Sequence, residues 1–303
     1  MTGLVDGGVL LLDKPVGWTS NAALGRARRL LGGVKAGHTG TLDPFASGLL
    51  PVTVGEAGKF SRYLLDADKR YEAHLKLGFI SSTGDPEGAI TATGGSVPSS
   101  RTVLDQVLLG FMGDLDQIPP MHSALKQQGV PLYELARKGL EVPRAPRRIC
   151  IHTLDVLAWS GGDELVIDVR CSKGTYIRVL AEDIGRALGC GAYLTELRRT
   201  EVGPMNISQA IELSDFEQLQ PGERTLRLLP PATLLAALPR IEIDGKTARD
   251  LLSGKHPGFV GNATGELQAW AVEGIFIGVV RASGDGPTKR LAPVRMMSPS
   301  VLP

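Results

Sequence analysis

From Lys69 to Leu77 the residues alternate with a period of two. Tyr71, Ala73, Leu75 and Leu77 fall on one side, and Arg70, Glu72, His74 and Lys76 on the other. Successive side chains of a strand point to opposite faces, so this segment reads as a half-buried strand with its polar face in solvent. Elsewhere the period is helical. Ala23, Leu24, Ala27, Leu30 and Leu31 repeat behind Ser20, the candidate N-cap, and stop at Gly32-Gly33. Val103, Leu104, Val107, Leu108 and Phe111 form a second apolar stripe, with Ser99 or Ser100 as cap. A third runs from Tyr176 to Leu188 through Ile177, Leu180, Ala181 and Ile184, with Gly189 at its end. The chain therefore mixes sheet and helix.

Further strands are expected at Val9–Leu12, Leu50–Val54, Ile149–Trp159, Leu165–Cys171 and Tyr193–Val202, and a short helix over Ala57–Leu65. Residues 36–48, rich in Gly, Thr, Pro and Ser, should be a loop. From Pro119-Pro120 to about Arg148 the chain turns polar, with a short helix from Pro131 to Gly139. Beyond Val202 the chain is punctuated by prolines 230, 231 and 239, and it ends in a Gly-rich, strand-like tail with a hairpin signal at Glu273-Gly274. This places a domain boundary near residue 238, dividing the chain into 1–237 and 238–303.

Of the 303 residues 43% are hydrophobic and 21% charged, with a net charge of +1, so bulk charge signals no nucleic-acid partner. A local excess does. Between Arg137 and Arg148, five basic residues face one acid, Glu141. The three cysteines, at 150, 171 and 190, form no Cys-x-x-Cys pair and suit a reducing compartment. No basic leader with a long apolar run opens the chain, and no stretch is apolar enough to span a bilayer. A soluble, cytoplasmic protein is expected. Glycine-rich dinucleotide and phosphate-binding signatures are missing, as are metal-ligand spacings, so neither cofactor nor metal is expected.

Single residues carry little by themselves. Asp43 before Pro44 reads as a turn opener, His38 as a loop histidine, and Tyr71 as a core tyrosine with its hydroxyl at the sheet edge. Arg178 is less ordinary. With Thr175 as cap it falls in the first turn of its helix, where the helix dipole disfavours a cation. A carboxylate, a phosphate or solvent should compensate it.

Several blocks together carry a resemblance. Leu11-Leu-Asp-Lys-Pro-x-Gly-x-Thr-Ser20, Gly37-His-Thr-Gly-Thr-Leu-Asp-Pro44, Lys69-Arg-Tyr71, Pro119-Pro-Met-His-Ser-Ala-Leu-Lys126, Ser172-Lys-Gly-Thr-Tyr-Ile-Arg178 and Leu197-Arg-Arg199 occur in that order. They resemble the motifs of the bacterial tRNA pseudouridine synthase B family, and they span about residues 8–205. The tail after 238 is more weakly similar to that family's small RNA-binding domain of the PUA type.

The resemblance implies an α+β pseudouridine synthase fold, with a mixed, mainly antiparallel sheet flanked by helices and a small β-rich PUA-like C-terminal domain. It implies cofactor-free isomerisation of uridine 55 in the T-loop of tRNA. By the same resemblance Asp43 is the catalytic carboxylate, as nucleophile or base, Tyr71 the stacking partner of the flipped base, and Arg178 the group that holds Asp43 ionised. His38 fills the space the base leaves, and Lys14, Lys59, Tyr176 and Leu197 lie near the substrate. Residues 119–148 correspond to an insertion that closes over RNA, with Arg144, Arg147 and Arg148 on the RNA backbone. Its polar composition suggests mobility without RNA. A monomer acting on the tRNA T-arm, without an obligate protein partner, is expected. Two other roles are compatible with the motifs: a tRNA-folding chaperone acting by binding, and the catalytic subunit of an RNA-guided particle.

Overall fold

The computed structural model describes residues 7–302, apart from the side chain of Glu273. The chain opens with β1 (Gly8–Lys14), α1 (Ser20–Leu30), β2 (Ala36–His38) and β3 (Ser47–Val54). A 3-10 segment, Gly55–Phe60, leads through α2 (Ser61–Leu65) to β4 (Lys69–Leu77). A small hairpin of β5 (Phe79–Ser81) and β6 (Ile90–Ala92) precedes α3 (Arg101–Leu109) and β7 (Gly113–Gln117). The polar segment holds the short pair β8 (Lys126–Gln127) and β9 (Val130–Pro131), then α4 (Leu132–Arg137). The strands β10 (Arg147–Trp159) and β11 (Glu164–Cys171) come next, then α5 (Ile177–Ala187) and β12 (Ala192–Val202). Short elements β13 (Met205–Asn206), β14 (Ile211–Glu212), α6 (Leu213–Gln218) and α7 (Pro221–Leu226) end this part.

Ten of these strands form one sheet, ordered β14-β1-β3-β12-β4-β11-β10-β7, with β13 beside β12 and β2 beside β3. Among the described residues, only the β1–β14 and β3–β12 pairs are parallel within it. The fold is α+β, as the resemblance implied. The alternation in β4 appears as read: Ala73, Leu75 and Leu77 are buried, while Arg70, Glu72, His74 and Lys76 are half-exposed. Their cover is α5, whose Ile177, Leu180, Ala181 and Ile184 share one apolar core with them. In β1 both faces are covered. Leu10 and Leu12 pack under Ala23, Ala27 and Leu31 around α1, and Val9 and Leu11 face Phe60 and Leu64. That two-sided burial is why β1 reads as a continuous apolar run rather than an alternation.

The C-terminal strands β15 (Arg240–Ile243), β16 (Gly258–Val260), β17 (Gly265–Ala271), β18 (Ile275–Ser283) and β19 (Thr288–Met296), with α8 (Gly245–Leu252), form a second sheet ordered β15-β17-β18-β19-β16. It is a small β-rich unit consistent with the PUA type. The turn at residues 272–274 joins β17 to β18, where a hairpin signal stood. The two sheets share a core. Phe276, Val279 and Met297 pack with Phe60 and Leu64, and the Phe60 and Phe276 rings meet at 5.3 Å.

Two caps differ from expectation. Thr19, not Ser20, caps α1, its hydroxyl accepting from the Ala22 amide. The N-cap of α5 is Tyr176 rather than Thr175, whose hydroxyl instead donates to the Ser172 carbonyl at 3.0 Å. Residues 36–38, expected in a loop, are the strand β2. Glycine at 37 and the Thr53 hydroxyl donating to its carbonyl at 3.2 Å suit pairing with β3.

Candidate functional site

The loop 39–46, which carries Asp43, leaves β2 and re-enters the sheet at β3. Two side chains fix its backbone. The Ser20 hydroxyl donates to the Leu42 carbonyl at 2.9 Å and accepts from the Leu42 amide at 2.8 Å. The Arg199 guanidinium donates to the carbonyls of Leu49 at 2.8 Å and Gly40 at 3.1 Å. Ser20 and Arg199 are both buried, so these bonds do not compete with water. Gly48 makes the approach possible. It adopts φ 106°, and a Cβ there would lie 2.3 Å from the Arg199 carbonyl oxygen on β12.

Asp43 thereby points into a cleft of about 330 Å³, within the range of ligand pockets. Tyr71 of β4, Leu197 of β12, Tyr176, Arg178 and the segment 122–125 share the lining. Arg178 Nη2 lies 3.0 Å from Asp43 Oδ2. Arg178 is only 4% exposed, and its guanidinium is held from three other directions. Nη1 donates to Asp85 Oδ2 and to the Thr83 carbonyl, each at 3.1 Å, and Nη2 donates to the His122 carbonyl at 2.7 Å. Asp85 is fixed in turn by the Thr83 hydroxyl and the Glu87 amide. The dipole-disfavoured cation thus has two compensating carboxylates, one buried and one facing the cleft.

The electrostatics of Asp43 are a balance. Burial pushes its carboxyl above the ordinary range; Arg178 and Lys14 oppose this, while Asp85 adds to it. Burial likewise raises the Tyr71 phenol against the pull of Arg199, and it raises Tyr176. It lowers Lys14 to about 8, the Asp43 carboxylate opposing.

Not every candidate reaches the cleft. Lys14, at the end of β1, donates to the carbonyls of Pro15 at 2.9 Å and Trp18 at 2.7 Å, so it braces the turn before α1. His38 ends β2 outside the cleft lining; burial, then Arg199, lowers its pKa. Lys59 is away from the cleft. It pairs with Glu56 and donates to the Met296 carbonyl at 3.1 Å, joining the 3-10 segment to the second sheet. Arg144 donates to the Pro119 carbonyl at 3.1 Å and to Glu141 at 2.9 Å, both within its own segment. Arg148 faces Asp114 at 3.5 Å and Asp116 at 3.8 Å across β7. Arg147 is exposed on the same strand and close enough to act on the Tyr176 phenol.

Sequence reasoning missed Asp85, Ser20 as a loop clamp, and Gln117. The Gln117 amide accepts from the Tyr176 N–H at 2.8 Å and donates to its carbonyl at 3.1 Å, fixing the start of α5. Asp85 stands in Thr83-Gly-Asp-Pro86, which reads as a turn. Its distance of 93 residues from Arg178 left no local signal. Among the described residues no group of three His, Cys, Asp or Glu side chains is placed to hold a metal ion.

Comparison with known proteins was consistent across sequence and structure. Residues 28–177 match the N-terminal domain model of the TruB family of pseudouridylate synthases, and residues 178–232 the tRNA pseudouridylate synthase B C-terminal domain. The chain is 52% identical to tRNA pseudouridine synthase B of Aromatoleum aromaticum, over 97% of this chain and 94% of that protein. To the protein of the same name from Dechloromonas aromatica it is 53% identical, over 90% of each. Its fold superposes on a chain in the crystal structure of a Cbf5–Nop10–Gar1 complex with a TM-score of 0.74, at 26% identity, covering 96% of this chain and 85% of that one.

Proposed function

Since the chain belongs to the tRNA pseudouridine synthase B family and is an enzyme that isomerises uridine to pseudouridine in tRNA, we propose that its target is uridine 55 of the T-loop and that Asp43 is the carboxylate that acts on it. The observation that carries this reading is Asp43 itself. It is the acid at the mouth of a cleft, 3.0 Å from a buried guanidinium already neutralised by a second acid. A structural ion pair would be complete with Asp85 alone. The exposed partner is left for substrate.

The isomerisation breaks the N1–C1′ bond and forms a C5–C1′ bond. C5 loses its proton, N1 gains one, and no electrons are exchanged with an external carrier. As a nucleophile or as a base, Asp43 must be ionised, and Arg178 favours that form. The target base must leave its stack, at a cost of a few kcal/mol. Tyr71 offers an aromatic face in the cleft and Leu197 an apolar wall, which recover part of that cost. Tyr176 borders the same space. His38, beside the loop, is proposed to occupy the gap in the RNA stack.

The segment 119–148 is proposed as the cover over the RNA, with Arg147 and Arg148 on its backbone. Residues 1–237 would form the catalytic domain and 238–303 the accessory RNA-binding domain, acting together as a cytoplasmic monomer without an obligate protein partner. The test is chemical mapping of pseudouridine in an unmodified tRNA transcript after incubation with the pure protein. Modification at position 55 alone is expected. Modification elsewhere, or a requirement for a guide RNA or second subunit, would overturn the assignment.

A further inference from the structure

Ser123 lies in the covering segment, lines the cleft beside Asp43, and is only 5% exposed. Its hydroxyl oxygen has no hydrogen-bond partner among the described residues. The Tyr176 phenol is close enough to be influenced by it, but no hydrogen bond of acceptable geometry joins the two. A buried hydroxyl without a partner is costly, and native proteins rarely leave one.

The position of Ser123 is not loose. Its amide donates to the Met121 carbonyl at 2.9 Å, and its carbonyl accepts from the Tyr133 amide at 3.1 Å. The preceding carbonyl, of His122, accepts from Arg178 Nη2 at 2.7 Å, the same nitrogen that faces Asp43. The backbone of this serine is therefore referenced to the Arg178–Asp43 pair. A hydroxyl is both donor and acceptor, and a uridine presents carbonyl oxygens, a ring N–H and sugar hydroxyls.

We propose that the Ser123 hydroxyl is completed by the substrate, forming a hydrogen bond to the flipped uridine, and so is a further substrate-contacting residue of this site. The inference rests on the reading of the cleft as the uridine site. It explains why a polar side chain is buried here unpaired: its partner arrives with the RNA.

The test compares wild type, Ser123→Ala and Ser123→Thr in single-turnover pseudouridine formation on a tRNA transcript, with tRNA affinity and thermal unfolding of the free protein measured alongside. Wild-type activity checks the reading of the cleft independently. Ser123→Ala should slow the single turnover about tenfold, the worth of one hydrogen bond. Ser123→Thr, which keeps the hydroxyl, should recover most of that rate. The free Ser123→Ala protein should melt at or above the wild-type temperature, because it loses an unsatisfied group rather than a contact. An active wild type with an equally fast Ser123→Ala variant would overturn the proposal. So would a slowed variant whose melting temperature falls and whose rate the threonine does not restore, which is the pattern of a purely structural serine.

Discussion

Ser20→Ala and Thr19→Ala should have opposite signatures, although the residues are neighbours at the start of α1. Thr19 caps the helix through the Ala22 amide at 3.1 Å, in a solvent-accessible place. Its loss should cost about 1 kcal/mol of stability and leave the reaction rate unchanged. Ser20 bonds both the amide and the carbonyl of Leu42, at 2.8 and 2.9 Å, and is 2% exposed. Alanine there orphans two buried backbone groups at about 1–3 kcal/mol each, so a loss of roughly 2–6 kcal/mol is expected. The orphaned groups belong to the residue before Asp43. A displacement of the carboxylate by about 1 Å would then slow chemistry on the order of a hundredfold. Urea unfolding gives the first quantity, and single-turnover pseudouridine formation at saturating tRNA the second. A Ser20→Ala variant that loses only about 1 kcal/mol and reacts at the wild-type rate would refute the clamp. So would a slow Thr19→Ala variant.

The same geometry gives three further expected outcomes. Burial raises the Asp43 carboxyl above its ordinary range, and in the proposed reaction it acts in its ionised form. The single-turnover rate should therefore fall on acidification with an apparent pKa above the ordinary aspartate value of about 3.9; a fall only below that value would contradict it. Arg147→Ala should weaken tRNA binding and reduce the slope of affinity against salt by about one, whereas Arg144→Ala, whose guanidinium is held by Pro119 and Glu141, should leave that slope unchanged. Phe276→Ala removes a ring that is 8% exposed between Phe60 and Trp270, each at 5.3 Å. It should cost about 3–5 kcal/mol and lower one common calorimetric transition, because the two sheets share this core.

The elements legible in the sequence are those whose period is local. The β4 alternation and the apolar stripe of α5 each state their own buried face, so both appear where read. Sheet order is not local. That β12 lies between β3 and β4 depends on Gly48 allowing the backbone of Arg199 to approach. The site divides in the same way. Asp43, Tyr71 and Arg178 came from motifs, and Arg178 also from a misfit with its helix dipole. Asp85 satisfies that misfit from a turn whose residues suggest only a turn. Ser20 looked like a cap because serine before an apolar stripe is the usual signal. The cap moved one residue earlier because the serine hydroxyl had a better-buried use. Basic residues are the least legible: composition counts Arg144 and Arg148 only as charge, whereas in the fold Arg144 bonds the Pro119 carbonyl and Glu141, and the exposed Arg148 faces Asp114 and Asp116.

The central claim is that Asp43 performs the chemistry while the rest of the cleft holds the RNA. It is tested most directly with Asp43→Asn, which keeps the shape of the side chain and removes its charge. Pseudouridine at position 55 is quantified in a tRNA transcript, and the dissociation constant of the same transcript is measured in parallel. The account predicts no detectable pseudouridine and an affinity within a few-fold of wild type. Product formed by the variant would contradict it, whatever the affinity.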